Sequence, residues 1–220
     1  MLKRVILVWE APVRILHWIH FFSIAVLALT GLYIGAPFID ADDIGGTYIM
    51  GTVRFVHFVA AFVFVFGFLV RGYWFFRGNE FEDWRDWLPA SKERWGELWR
   101  MQKYYLFLSP VRPRYIGVNP IAGLTYLVLG VLIALQAITG FALYSLPFGS
   151  GLWPATFGWL IAWFGAQPVR LVHHVLLWFF VTFFIAHLYL AVLDDIEERS
   201  GEFVSIISGE KFEPTAPEGE

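Results

Sequence analysis

Four long stretches of the chain carry no charge. The first runs from Ile15 to about Ile39 and contains a usable span ending near Tyr33, and the second lies between Arg54 and Arg71, extended by Tyr73, Trp74, Phe75 and Phe76. The third opens near Ile116 and runs to about Tyr144, and the fourth is Leu171 to Leu193, bounded by Arg170 and Asp194. A helix needs roughly 20 predominantly apolar residues to cross the hydrocarbon core. Three stretches meet that length directly, and the second meets it with its aromatic end. The pattern predicts an all-α membrane protein, a four-transmembrane-helix bundle with spans at about 15–36, 52–76, 116–145 and 170–193, in one domain over 1–209. Between the spans, Ser91 to Leu106 places Trp95, Leu98 and Trp99 on one face and reads as an interfacial amphipathic helix. Thr156 to Phe164 is wholly apolar and too short to span; it reads as an interfacial turn or a docking surface. Residues 210–220 read as an acidic disordered tail.

Composition sharpens this picture. Hydrophobic residues make up 58% of the 220 and charged residues 16%, against about half and a quarter in a soluble domain. Aromatic residues reach 20%, which suits lipid-facing and interfacial surface. Lys3 and Arg4 precede only a short apolar run before Glu10, with no small-residue cleavage site, so membrane entry is expected from the internal spans. Charge then orients them. The segment Arg77 to Arg114 holds eight of the 16 Lys and Arg residues, the loop Gly35 to Thr52 holds Asp40, Asp42 and Asp43 without a basic residue, and the loop Leu146 to Gln167 has no charge. By the positive-inside rule both termini and the Arg77–Arg114 loop are expected in the cytoplasm. No nucleic-acid partner is expected; the surroundings are membrane lipid.

There are no cysteines, which excludes disulfides, thiolate-held iron–sulfur clusters and covalently attached c-type haem. Any redox cofactor needs other ligands, and the six histidines are the supply: His17, His20, His57, His173, His174 and His187. A single histidine near an interface is as readily a hydrogen-bonded packing residue as a ligand, so the case rests on arrangement. His173 and His187 are fourteen residues apart, which returns them to within ~40° of one helix face and separates them by ~21 Å along the axis. His174 falls on nearly the opposite face. Depth selects the partners: His17 lies level with His187 near the cytoplasmic surface, and His57 lies level with His173 near the outer one. Two bis-histidine pairs result, matching two b-type haems. His20, one turn from His17, stays open as an alternative inner ligand. Arg14, Arg54 and Arg170 each stand three residues before a ligand histidine, one turn nearer the surface, where a guanidinium can pair with a haem propionate. Snorkelling at helix ends is the alternative, and it explains Arg14 better than Arg54 or Arg170. No H-E-x-x-H motif is present and no acidic residue lies within a span, against a zinc protease or proton transporter. Bis-imidazole ligation leaves iron no open position, which argues for electron transfer.

With these residues in place, the chain resembles the b-type cytochrome subunit of membrane-bound nickel–iron hydrogenases. The run Glu10-Ala11-Pro12-Val13-Arg14-Ile15-Leu16-His17-Trp18 is similar to that family's E-A-P-x-R-x-x-H-W opening. Tyr104 to Leu108, followed by Gly117 to Ala122, resembles a second block, and the fourth span with His173, His187 and Tyr189 resembles the family's haem-binding final helix. That span alone would equally suit the related gamma subunit of formate dehydrogenase. Val118 departs from the pattern, standing where the family block often has histidine. The resemblance implies an electron-transfer subunit of a hydrogen:quinone oxidoreductase, without the hydrogen-activating site, in the bacterial inner membrane. It implies association with the small and large hydrogenase subunits on the outer face, and electron delivery to quinone. An equivalent subunit of formate dehydrogenase or another quinone-linked oxidoreductase, and a haem-free membrane anchor, are the alternatives.

Overall fold

The computed structural model describes residues 3–38, 48–81, 84–88, 91–111, 113, 115, 117–198 and 201–214. Asp40, Asp42, Asp43, Arg112, Arg114 and Ile116 lie outside them. The elements are β1 (Lys3–Leu7), α1 (Ala11–Gly35), α2 (Ile49–Arg77), α3 (Trp84–Trp87), α4 (Lys92–Tyr105), α5 (Pro120–Tyr144), α6 (Leu152–Phe164), α7 (Ala166–Glu198), α8 (Glu202–Ser208) and β2 (Glu210–Pro214). Among the described residues, α1, α2, α5 and α7 are the four helices long and apolar enough to cross a membrane. Their large side chains are mostly turned outward: Leu29 is 71% exposed and Phe66 70%, a surface that suits lipid and not water. Punctuation is local. α5 starts with Pro120, whose missing N–H is not needed in the first turn, and the Asn119 Oδ1 accepts from the Ala122 N–H at 2.8 Å. Gly165, at φ 80°, separates α6 from α7, a conformation that glycine adopts without a Cβ penalty.

The chain divides into two compact units, one built from Met1–Trp18, Leu69–Gly130 and Ala186–Glu220, the other from Ile19–Phe68 and Val131–Ile185. In the first unit β1 and β2 pair antiparallel, Lys3 opposite Pro214 and Leu7 opposite Glu210. The expectation of a disordered tail from residue 210 is therefore corrected for Glu210–Pro214; residues 215–220 lie outside the described set. Lys211 explains the order. It is 5% exposed, its Nζ sits 2.5 Å from Glu202 Oε2 and 5.1 Å over the Trp9 ring, while Trp9 Nε1 donates to Ser205 Oγ at 2.9 Å. Gly209, at φ 89°, closes α8, and its carbonyl accepts from the Val8 and Trp9 N–H groups at 2.8 and 3.0 Å. Glu202→Gln should destabilise the protein by about 1–3 kcal/mol, because it leaves a buried ammonium short of its counter-charge. Thermal unfolding in detergent checks this, and an unchanged midpoint would show the pair to be inert.

Helix α4 forms as expected but divides the three residues expected on one face. Leu98 and Met101 turn inward, whereas Trp95 and Trp99 are exposed; the two tryptophans, four positions apart, share the outer face. Ser91 caps the helix, accepting from the Arg94 N–H at 3.1 Å. In the second unit, α6 packs on α2 and α5 through rings. Trp153 stacks on Phe141 at 5.3 Å and meets Phe62 and Tyr144 edge-on at 5.6 and 5.4 Å. Trp163 and Phe164, on the same helix, remain exposed.

Candidate functional site

The first unit brings His17 of α1 and His187 of α7 together. Their ring centres are 6.3 Å apart with the planes inclined by 49°, and Trp18 packs edge-on to His17 at 5.5 Å. Two imidazoles facing one metal ion through bonds of about 2 Å hold their ring centres roughly 6 Å apart. The spacing is that of a pair able to share an iron.

The second unit holds the other four histidines. His173 lies within electrostatic range of both His57 and His174. His57 Nδ1 is 2.8 Å from Thr30 Oγ1, and His173 Nδ1 is 3.0 Å from Thr139 Oγ1. Gln136 Nε2 approaches His173 Nε2 at 3.4 Å. Each of these two rings meets a glycine of a neighbouring helix with its Cε1 edge: a Cβ on Gly31 would lie 3.4 Å from His57 Cε1, and one on Gly140 would lie 3.0 Å from His173 Cε1. His20 and His174 also meet glycines, but with Nε2 foremost. A Cβ on Gly67 would come 2.9 Å from His20 Nε2, and one on Gly35 would come 2.6 Å from His174 Nε2. His174 Nδ1 turns back to the Arg170 carbonyl of its own helix at 2.9 Å.

The three arginines have separate surroundings. Arg14 donates through Nη1 to the Ile207 carbonyl, and its buried Nε has no partner among the described residues. Arg170 is exposed and donates to Gln167 Oε1 at 3.0 Å. Arg54 is exposed.

The sequence pattern of the prokaryotic cytochrome b561 family matches residues 8–209. The chain belongs to that family. Among curated relatives, the probable Ni/Fe-hydrogenase B-type cytochrome subunit of Azotobacter chroococcum is 40% identical over 94% of this chain and 88% of the relative. The protein of the same name from Cupriavidus necator is 38% identical over 92% and 85%. The probable Ni/Fe-hydrogenase 1 B-type cytochrome subunit of Escherichia coli is 32% identical over 92% and 88%. The resemblance drawn from the opening block and final helix is therefore borne out.

Membership of the cytochrome b561 family implies haem b and an integral membrane protein. The residues present fit that group: neutral imidazoles are its ligands, His17 and His187 stand at the separation that two such ligands need, and the bare Cα atoms of Gly31 and Gly140 leave room beside His57 and His173. Sequence reasoning missed Thr30, Gln136, Thr139 and the two glycines. A signal was present, since Thr30-Gly31 and Thr139-Gly140 repeat one dipeptide in two spans. Nothing in hydropathy or charge singles such a pair out, because small residues in a span are usually packing residues.

Proposed function

We propose that the chain is a di-haem cytochrome b that takes electrons from the small subunit of a nickel–iron hydrogenase at the outer face of the bacterial inner membrane and passes them to quinone. The observation that carries this reading is the pairing of His17 with His187, whose ring centres stand 6.3 Å apart. Bound at such sites, haem supplies reversible one-electron transfer. The protein's part is to hold the ligand rings and leave no open coordination position. His17 and His187 serve one site, and His57 and His173 the other. His20 and His174 are disfavoured as ligands because each turns Nε2 toward a glycine of a neighbouring helix.

The relatives' names supply the hydrogenase partner, and the lack of cysteine requires an outside electron donor. Orientation is supported from two directions. Paired strands lie on one side of a bilayer, so β1 and β2 favour an even number of crossings between them. The basic segment Arg77 to Arg114 supports the cytoplasm as that side. Quinone chemistry needs proton donors near the inner haem. In the first unit Tyr104 donates to Glu197 Oε2 at 2.6 Å. Burial, helped by Glu97, pushes the Tyr115 hydroxyl up from its usual range, against the pull of Arg100 and Arg94; it keeps its proton at neutral pH.

Haem quantitation and EPR of the purified complex, followed by hydrogen-driven reduction, test the proposal. Two low-spin signals reduced by hydrogen and reoxidised by a quinone analogue are expected. A single haem, or haem that hydrogen does not reduce in the assembled complex, overturns it.

Arg54 and Arg170 are proposed partners of the outer haem's propionates. A positive charge near the haem edge favours the reduced, more negative state, so Arg54→Gln and Arg170→Gln should each lower that haem's potential by up to about 59 mV, a tenfold change in a one-electron equilibrium. Both side chains are exposed, and solvent screening reduces the effect below what burial would give. Potentiometric titration reads the shift, and unmoved potentials in both variants would leave the arginines as helix-end snorkels.

A further inference from the structure

We propose that Thr30 and Thr139 are positioning residues that fix the tautomer of His57 and His173 and thereby hold down the reduction potential of the outer haem. The inference rests on the reading that these two histidines are its ligands.

The argument is one of proton counting. A threonine hydroxyl has one proton to give and two lone pairs to receive. Thr30 Oγ1 lies 2.6 Å from the Val26 carbonyl of its own helix, and Thr139 Oγ1 lies 2.8 Å from the Leu135 carbonyl. Two oxygens at that separation need a proton between them, so each hydroxyl spends its proton on the helix backbone, the usual back-bonding of a mid-helix threonine. Only lone pairs are left for the histidines, 2.8 Å away at His57 Nδ1 and 3.0 Å away at His173 Nδ1. Nδ1 must therefore carry the hydrogen and donate it. The neutral ring then has its lone pair on Nε2.

The two arrangements are built alike from unrelated helices. Thr30 of α1 serves His57 of α2, and Thr139 of α5 serves His173 of α7. In each, the glycine following the threonine faces the Cε1 edge of the same ring. The dipeptide thus does two jobs: threonine sets which nitrogen is basic, and glycine leaves the ring the space to stand where it does. Thr139 is 3% exposed, so water does not substitute readily for its hydroxyl. A hydrogen bond from the distal ring N–H makes an imidazole a stronger donor to its metal and orients it. A stronger donor stabilises ferric over ferrous iron and lowers the potential.

The test compares Val, which keeps the shape and loses the hydroxyl, with Ser, which keeps the hydroxyl, at both positions in the intact complex. Thr139→Val and Thr30→Val should each raise the potential of one low-spin haem, with about a tenfold shift in its redox equilibrium, about 59 mV. The other haem should be unmoved, the EPR g-values of the affected haem should change, and Thr139→Ser and Thr30→Ser should stay near wild type. Loss of haem in the Val variants with retention in the Ser variants also supports the role. Unchanged potential and EPR in Val variants that keep haem, equal movement of both haems, or equal damage by Ser and Val overturns it. The underlying ligand reading fails separately: it is refuted if His57→Ala and His173→Ala both retain two bis-histidine haems, whatever the threonine variants do.

Discussion

His173→Ala is expected to remove one of two spectroscopically distinct low-spin haems, while His174→Ala keeps both. The two residues are sequence neighbours on α7 and face different environments. His173 has Nδ1 committed to Thr139 and presents its Cε1 edge, not Nε2, most closely to Gly140. His174 has Nδ1 committed to the Arg170 carbonyl one turn back and drives Nε2 toward Gly35, where even a methyl group would come within 2.6 Å. If His57 and His173 hold the outer haem as proposed, removing His173 would leave that haem without one of its two imidazoles, and its low-spin EPR signal would disappear even where some haem stayed bound. Replacing His174 costs a side-chain-to-backbone hydrogen bond, worth about 1 kcal/mol, and leaves the spectrum alone. Haem content and EPR on the pair of variants measure the difference. The reverse outcome would sink the assignment of the outer ligands.

At the other site, His187→Ala and His17→Ala should each abolish the inner haem and stop hydrogen-driven quinone reduction, while His20→Ala preserves both. The rings of His17 and His187 already stand 6.3 Å apart, close to what one iron between them requires. His20, one turn along α1, is instead packed edge-on against Phe64 at 5.1 Å with Nε2 toward Gly67. Without the inner carrier, hydrogen should still reduce the outer haem, and electrons should stop there. The readout is the reduced spectrum under hydrogen with and without quinone. Rapid quinone turnover in His187→Ala, or an inner haem lost from His20→Ala and kept in His17→Ala, would show that the pair is misassigned.

Much of this was legible before the structure. Long uncharged stretches report membrane crossing because a single charge in hydrocarbon costs several kcal/mol, so the four spans show through composition alone. The fourteen-residue interval between His173 and His187 was equally readable, since helix geometry is fixed once the span is identified. Other features were hidden for physical reasons. Strand pairing between Lys3–Leu7 and Glu210–Pro214 joins segments some 200 positions apart, and a Glu- and Pro-rich end gives no local sign of a distant partner. The helical spacing that groups Trp95, Leu98 and Trp99 carries no sign that Leu98 turns inward with Met101 while the tryptophans stay exposed, although exposed rings suit an interfacial helix. The hydroxyls of Thr30 and Thr139 escaped notice because their meaning depends on which ring lies opposite.

The strand pair also bears on how the protein is made. β1 leaves the ribosome roughly 200 residues before β2, on the order of ten to forty seconds at ordinary synthesis rates. Throughout that interval the backbone of β1 waits without its partner. If any one of α1, α2, α5 or α7 failed to enter the bilayer, the two ends of the chain would emerge on opposite sides and the strands could never meet. Closing the ribbon therefore acts as a parity check on insertion: only a chain that has crossed the membrane an even number of times can bury Lys211 and complete its first strand.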